Sequence, residues 1–172
     1  MFDYQSLETE RLMLRPSSLE DVQFVFELLN SPKWIKYIGN RQIISLDAAR
    51  KYITEKMTPK TDKLGVNFTV MRKVDSVKIG SCGIYNREGL GYMDIGFAFL
   101  PEYEQKGYAF ESAKRVLKLG FDEFGVDRVC AITTKDNFSS QRLIEKLGMS
   151  YQKIIRIPND DEDLMLYYLD AL

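Results

Sequence analysis

The chain contains no histidine. That absence excludes Ser-His-Asp and Cys-His nucleophilic machinery, HExxH zinc hydrolysis and His-ligated structural zinc. Proton transfer is left to carboxylates, tyrosine, cysteine, lysine, the backbone or water. Cysteine is scarce too. Cys82 and Cys130 are the only two, too few for a secreted disulfide framework. Each sits in an apolar, strand-like run, which suits a buried free thiol. No apolar run approaches the ~20 residues of a membrane span, so no membrane partner is expected. The opening Met1-Phe2-Asp3-Tyr4 has no signal-peptide pattern, and a cytoplasmic location is expected. Neither charge dominates: 24 Lys+Arg stand against 25 Asp+Glu, for a net charge of −1. No basic footprint for nucleic acid is visible. A local anion site remains open, because backbone N–H groups build one without net charge.

What is present is an ordinary globular chain. It has 172 residues, 45% hydrophobic and 28% charged. A chain of this length buries roughly 70% of its unfolded surface, so no metal or disulfide staple is required. No linker, repeat or low-complexity segment divides it, and residues 1–172 read as one domain.

Glu10–Arg15 alternates and predicts a first strand. Ser17 and Glu20 suggest a capping box. Val22, Val25, Phe26 and Leu29 then follow at helical spacing to about Asn30, where Ser31-Pro32 ends the helix. Trp34 and Tyr37 fall in a stretch read as irregular. A second helix begins near Ser45 and carries Ala49, Ile53 and Met57. Residues 66–70, 77–85 and 92–100 predict three strands in an antiparallel meander. The last of them is nearly continuous in apolar residues and so is expected to be covered on both faces. Gly107 opens a long helix with Ala109, Ala113, Val116, Leu117, Gly120 and Phe124 on one face, and Gly125 closes it. Residues 128–133 predict a strand. Asp136-Asn137 caps a helix ending at Gly148, and residues 151–157 and 164–169 predict two final strands. The order β-α-α-β-β-β-α-β-α-β-β implies a mixed sheet, not a doubly wound parallel one.

Two segments carry the chemistry. In the first, strand residues 94–100 lead through Pro101-Glu102-Tyr103-Glu104-Gln105-Lys106 to Gly107-Tyr108-Ala109 at a helix start. Free backbone N–H groups and the positive helix end there suit a pyrophosphate. On its own this pattern also fits an ordinary strand-to-helix turn. The second is Asn137-Phe138-Ser139-Ser140, opening the next helix after the next strand; on its own it also fits a simple N-cap.

Together, these segments and the ending Glu145-Lys146-Leu147-Gly148-Met149 resemble the GNAT superfamily of acetyl-CoA-dependent N-acetyltransferases, over about residues 8–170. Arg11 and Arg15 bracketing Leu-x-Leu resemble the branch that includes ribosomal-protein N-terminal acetyltransferases. The resemblance implies a mixed α/β, GNAT-like acyl-CoA N-acyltransferase fold, its central sheet mostly antiparallel and flanked by helices. It implies acetyl-CoA as co-substrate, no metal, and a primary-amine acceptor such as a protein N-terminus or small molecule. Direct attack in a ternary complex is implied, in a monomer or homodimer. Gln105, Lys106, Gly107, Tyr108 and Ala109 match the pyrophosphate loop. Ile95–Phe99 match the splayed strand that pairs with pantetheine, so Phe97, Ala98 and Phe99 are cofactor-binding positions and a backbone N–H near Phe97 is the oxyanion donor. Asn137 matches the pantetheine-holding Asn, and Ser140 the residue that donates to the departing thiolate.

Three departures stand out. Glu104 replaces Arg or Gln and brings a like charge near phosphates. Gln105 replaces a Gly common at its position, which reduces loop freedom. Ile144 stands where other branches carry a Tyr general acid, so Ser140 or water takes that task. Glu104 and Gln105 motivate an alternative, a non-catalytic acyl-CoA-binding regulatory module. For the base, Asp94, Glu88 or a water chain are the candidates, and Asp94 alternatively reads as a strand-end charge facing water. The resemblance places the acceptor near Trp34, Tyr37, Tyr85 and Tyr167, where aromatics line a pocket or pack the core. Asn159-Asp160-Asp161-Glu162-Asp163 reads as a solvated hairpin turn, since it lacks the Gly and distal Glu of a calcium loop.

Overall fold

The computed structural model describes residues 4–59 and 64–171, so the reading of Met1, Phe2 and Asp3 lies outside the described residues. Among the described residues, alternation, caps and turns yield eight strands and five α-helices. The strands are β1 (Leu7–Glu8), β2 (Leu12–Pro16), β3 (Gly65–Arg72), β4 (Lys78–Asn86), β5 (Met93–Phe99), β6 (Arg128–Thr134), β7 (Ser150–Ile155) and β8 (Leu164–Asp170). The helices are α1 (Val22–Leu29), α2 (Pro32–Tyr37), α3 (Leu46–Tyr52), α4 (Tyr108–Lys118) and α5 (Phe138–Lys146). Wide π-type turns extend α3 through Ile53–Met57 and α4 through Leu119–Glu123. Among the described residues, no helix is long and apolar enough to cross a membrane.

The strands form one sheet in the order β1-β2-β3-β4-β5-β6-β8-β7. All pairs are antiparallel except β5 with β6. The expected meander is β3-β4-β5. Period-two alternation sends Leu12, Leu14, Phe68, Val70, Ile84 and Ile95 into one core with Ala113, Val116 and Leu117 of α4. Each such aliphatic side chain removed from water contributes about 1.5–3 kcal/mol. A second core gathers Val25, Leu28, Ala49 and Ile53 from α1, α3 and the turn after α3, and Ala98 of β5 packs against it.

The structure corrects three expectations. The cap preceding α1 is Ser18, with Asp21 completing its box. Ser17 is instead buried, donating to Asn67 Oδ1 at 2.8 Å and lying 3.0 Å from Thr69 Oγ1. Local pattern allowed either serine; the long-range contact with β3 decides. Trp34 and Tyr37 lie on α2, which forms because Pro32 occupies its first turn after extended Ser31. The third correction concerns β5. Gly96, Phe97 and Ala98 are only half-buried, because the neighbouring strand leaves them, as described below. Tyr92 and Leu100 flank the strand rather than belong to it.

Arg15 has a structural role. Asp21 is fully buried and accepts from Arg15 Nη2 at 2.7 Å, Lys78 Nζ at 2.8 Å and the Ser18 N–H at 2.9 Å. Removing that carboxylate leaves two cations and a cap without their partner. Asp21→Ala is therefore expected to destabilise the fold by about 3 kcal/mol in a urea titration, the loss typical of breaking a buried ion pair.

Candidate active site

The site starts with a loss of pairing. β5 and β6 run parallel but pair only at Met93↔Val129 and Asp94↔Cys130. β5 continues along β4 to Phe99, and β6 continues along β8 to Thr134. Residues 95–99 and 131–134 therefore have no strand between them, and a wedge opens with Asp94 and Cys130 at its apex. Each strand leads into a helix at the same end, so the N-termini of α4 and α5 flank the wedge mouth. Clefts beyond the carboxyl ends of parallel strands are standard ligand sites in α/β sheets.

The loop before α4 forms a backbone cradle at the wedge mouth. Gln105 and Gly107 both adopt left-handed backbone, with φ of +57° and +82°. Gly107 is the N-cap and no side chain caps the helix. Among the described residues, the N–H groups of Gln105, Lys106 and Gly107 and of the first helical turn have no acceptor. Lys106 turns back onto the Glu102 carbonyl at 2.7 Å. Arg11 braces the loop from β2's leading end: its Nη1 donates to the Lys106 carbonyl at 3.1 Å and its Nε to Glu111 Oε2 at 2.7 Å. Its guanidinium also lies 4.6 Å from the centroid of the Tyr108 ring. A Cβ on Gly107 would come within 3.2 Å of Arg11 Nη2.

The two departures in this loop have physical answers. Glu104 is ion-paired with Lys33 of α2 and so does not stand as a bare charge at the loop. Gln105 takes the backbone conformation that a glycine would adopt without strain. Lys36 of α2 also reaches Asp136, at 3.8 Å, in the loop before α5. The short helix α2 thus carries ion pairs to the loops on both sides of the wedge.

Across the mouth, Asn137 caps α5. Its Oδ1 accepts from the Ser140 N–H at 3.3 Å and from Ser139 Oγ at 3.1 Å. Its amide nitrogen and the half-buried Ser140 hydroxyl make no hydrogen bond among the described residues. Ile144 is buried in the core, so no acidic side chain occupies that position.

Asp94 does not face water as a strand-end charge: it is 1% exposed. Its Oδ2 accepts from Arg87 Nε at 2.6 Å, while Oδ1 is buried without a partner. Burial raises its carboxyl above the usual range, and Arg87 opposes that shift. Tyr85 pairs with Asp94 across the strands. Its side chain lies over Gly83 and Gly96, where a Cβ would meet the hydroxyl at 2.5 Å and the ring at 3.2 Å. Asn67 Nδ2 donates to the Tyr85 hydroxyl at 2.8 Å. Burial pushes that phenol far above its ordinary value. A cavity lined by Met57, Thr58, Gly65, Asn67, Tyr85 and Asn86 opens beside it. Glu88 is exposed.

The other aromatic candidates divide. Trp34 packs against the second core, on the side of the sheet that Ala98 faces, with its indole nitrogen buried and unpartnered. Tyr37 is half-buried beneath Lys36. Tyr167 is fully buried in the core and edge-on to Tyr151. The acidic run forms a turn in which Asp163 pairs with Arg156 and Lys135. Arg87, Lys33 and the loop-bracing role of Arg11 were not read from the sequence. Arg11 lies in the motif that brackets Leu-x-Leu, whereas Arg87 and Lys33 carry no local signal.

A family model for an acetyltransferase (GNAT) domain matches residues 11–150. The uncharacterized N-acetyltransferase YnaD of Bacillus subtilis (strain 168) is 29% identical over 168 residues, covering 96% of both chains. An acetyltransferase (GNAT family) structure from Bacillus anthracis superposes with a TM-score of 0.80 at 28% identity, covering 96% of this chain and 98% of that one. RimL, a ribosomal L7/L12 alpha-N-protein acetyltransferase solved in complex with coenzyme A, shares the fold with a TM-score of 0.77. It is 12% identical, covering 97% of this chain and 98% of that one.

Two outcomes follow from the loop. Gln105→Gly relieves left-handed strain, so it is expected to stabilise the protein by about 1 kcal/mol in denaturant titrations. Glu111 is held below the usual carboxyl range: burial alone would raise it, but hydrogen bonds from Thr9 and Arg11 overcome that. Its stabilisation is fully present above the unfolded value of about 4.3 and is lost as pH falls through the lowered folded value. Glu111→Gln is expected to flatten the acid limb of melting temperature against pH.

Proposed function

This chain belongs to the acetyltransferase (GNAT) family, and from that premise we propose that it moves the acetyl group of acetyl-CoA onto a primary amine, a protein N-terminus or a small molecule, within a ternary complex. The observation that carries the reading is the wedge between β5 and β6, with an uncapped α4 N-terminus at its mouth. Pyrophosphate would sit on the N–H groups of Gln105, Lys106, Gly107, Tyr108 and Ala109. Pantetheine would run along the unpaired edge of Ile95–Phe99, supplying the missing strand. That edge includes Phe97, Ala98 and Phe99, and a β5 backbone N–H near Phe97 would receive the developing oxyanion. The amide of Asn137 is free to hold a pantetheine carbonyl. RimL's complex with coenzyme A supports that ligand.

The chemistry balances with the groups present. The neutral amine attacks the thioester carbonyl carbon; a C–N bond forms and the C–S bond breaks. Asp94 Oδ1 takes the proton lost by nitrogen. The departing thiolate is stabilised by the Ser140 hydroxyl and takes up a proton from solvent, to which Asp94 returns its own. A thiol with a pKa of ~8.5 asks for little more than a hydrogen bond. A peptide α-amine, at about 7.7–8.0, is neutral often enough for an unassisted start, whereas a lysine amine near 10.4 is not. Trp34, Tyr37 and Tyr85 are the proposed acceptor-side residues. The regulatory-module reading is not favoured, because Glu104 is neutralised by Lys33 and Gln105 reaches the loop conformation.

The test begins with a melting titration against acetyl-CoA, with dephospho-CoA as control. Ligand at 100 times its dissociation constant adds about 2.7 kcal/mol of native stability. Absence of a saturable rise would remove the cofactor reading. Thiol release is then measured over an amine panel that includes an alanine-initiated peptide. Ser140→Ala is expected to lower kcat about ten-fold at nearly unchanged acetyl-CoA affinity, the effect of one charge-assisted hydrogen bond. Asn137→Ala should instead weaken acetyl-CoA binding. Asp94→Asn is expected to lower kcat by about a hundred-fold or more, as loss of a general base does.

A further inference from the structure

We propose that Arg87 is a positioning residue for acetyl transfer: its guanidinium clamps Oδ2 of Asp94 and leaves Oδ1 as the carboxylate atom free to meet the amine at the wedge apex. The proposal rests on Asp94 as the base and adds a second residue to it.

Three observations carry it. Arg87 Nε lies 2.6 Å from Oδ2, while Oδ1 is buried with no partner. An orphaned carboxylate oxygen inside a protein is costly, and Asp94 stands at the last β5–β6 pair, where the strands part. Arg87 is also the one cation in ion-pair reach of Asp94 among the described residues. The remaining titratable neighbours are neutral. Tyr85 of β4 pairs across from Asp94, and Cys130 of β6 stands on its other side. Burial raises both groups, Cys130 to about 12, so neither supplies a charge. Beyond Arg87 lies Tyr52 of α3, likewise raised by burial, with Arg41 and Arg87 opposing that shift. A carboxyl left with a phenol, a thiol and apolar walls would take up a proton and cease to be a base. Arg87 opposes that uptake while occupying only one of the two oxygens. Its side chain is 39% exposed, so its outer guanidinium nitrogens remain hydrated.

The experiment follows the 13C carboxyl resonance of Asp94, assigned by its absence in Asp94→Asn, across pH in wild type, Arg87→Gln and Arg87→Lys. In Arg87→Gln the midpoint should rise by about one unit or more, and kcat for an alanine-initiated peptide should fall about ten-fold at an acetyl-CoA KM within about two-fold. Arg87→Lys, which keeps the charge but not the planar fork, should recover most of the midpoint and leave kcat down about three-fold. An unmoved midpoint in Arg87→Gln overturns the proposal while leaving Asp94 as base if Asp94→Asn is inactive. Wild-type turnover in Asp94→Asn overturns both. Should Arg87→Gln fail to fold, Arg87→Lys decides alone, and wild-type kcat in it overturns the assignment.

Discussion

The parting of β5 from β6 after two paired positions is the constraint on which the rest of the site depends. A continuous pair would consume the edge hydrogen-bonding groups of residues 95–99 and leave no opening between the strands. Because both strands are tied on their outer sides, to β4 and β8, they diverge without losing the sheet. The parallel direction matters equally. It brings two successive helix starts to one end of the molecule, and with them the loop before α4 and Asn137.

The loops at that end are held by ion pairs and hydrogen bonds of very different strength. Arg11 combines a hydrogen bond to the Lys106 carbonyl, a pair with partly buried Glu111 and a cation–π contact with Tyr108. Such combined, partly shielded contacts hold geometry. Lys36 with Asp136 is long and exposed on both sides, and contacts of that type contribute about 0–1 kcal/mol at most. Glu104 with Lys33 lies between them, one partner mostly shielded and the other half-exposed. The cradle is therefore rigid on the β2 side and loosely tethered on the α2 side.

Local features were legible in the sequence, and distant ones were not. Gly107 at a helix start, the Asn137 cap and the alternation of β3, β4 and β5 each express themselves within a few residues. The departures at Glu104 and Gln105 were visible as well, but their resolution was not. Lys33 lies 71 positions from Glu104, and Arg11 lies 100 from Glu111. No local pattern relates residues so far apart. The same holds for Ser17, whose hydroxyl is taken from the cap by Asn67, 50 positions away. The orientation of Asp94, outward or inward, hung on Arg87 across the β4–β5 turn. Only the folded turn brings that guanidinium to it.

The two cysteines have a practical bearing. Cys82 and Cys130 are both free and buried, and burial pushes both thiols up to about 12. Thiolate is the form that reacts with disulfide reagents, and at neutral pH the native protein presents almost none. A chromogenic disulfide added to the folded enzyme therefore registers thiol liberated in the assay and not the catalyst. The slow reaction of the protein's own thiols becomes a clock for its unfolding, readable in the same cuvette.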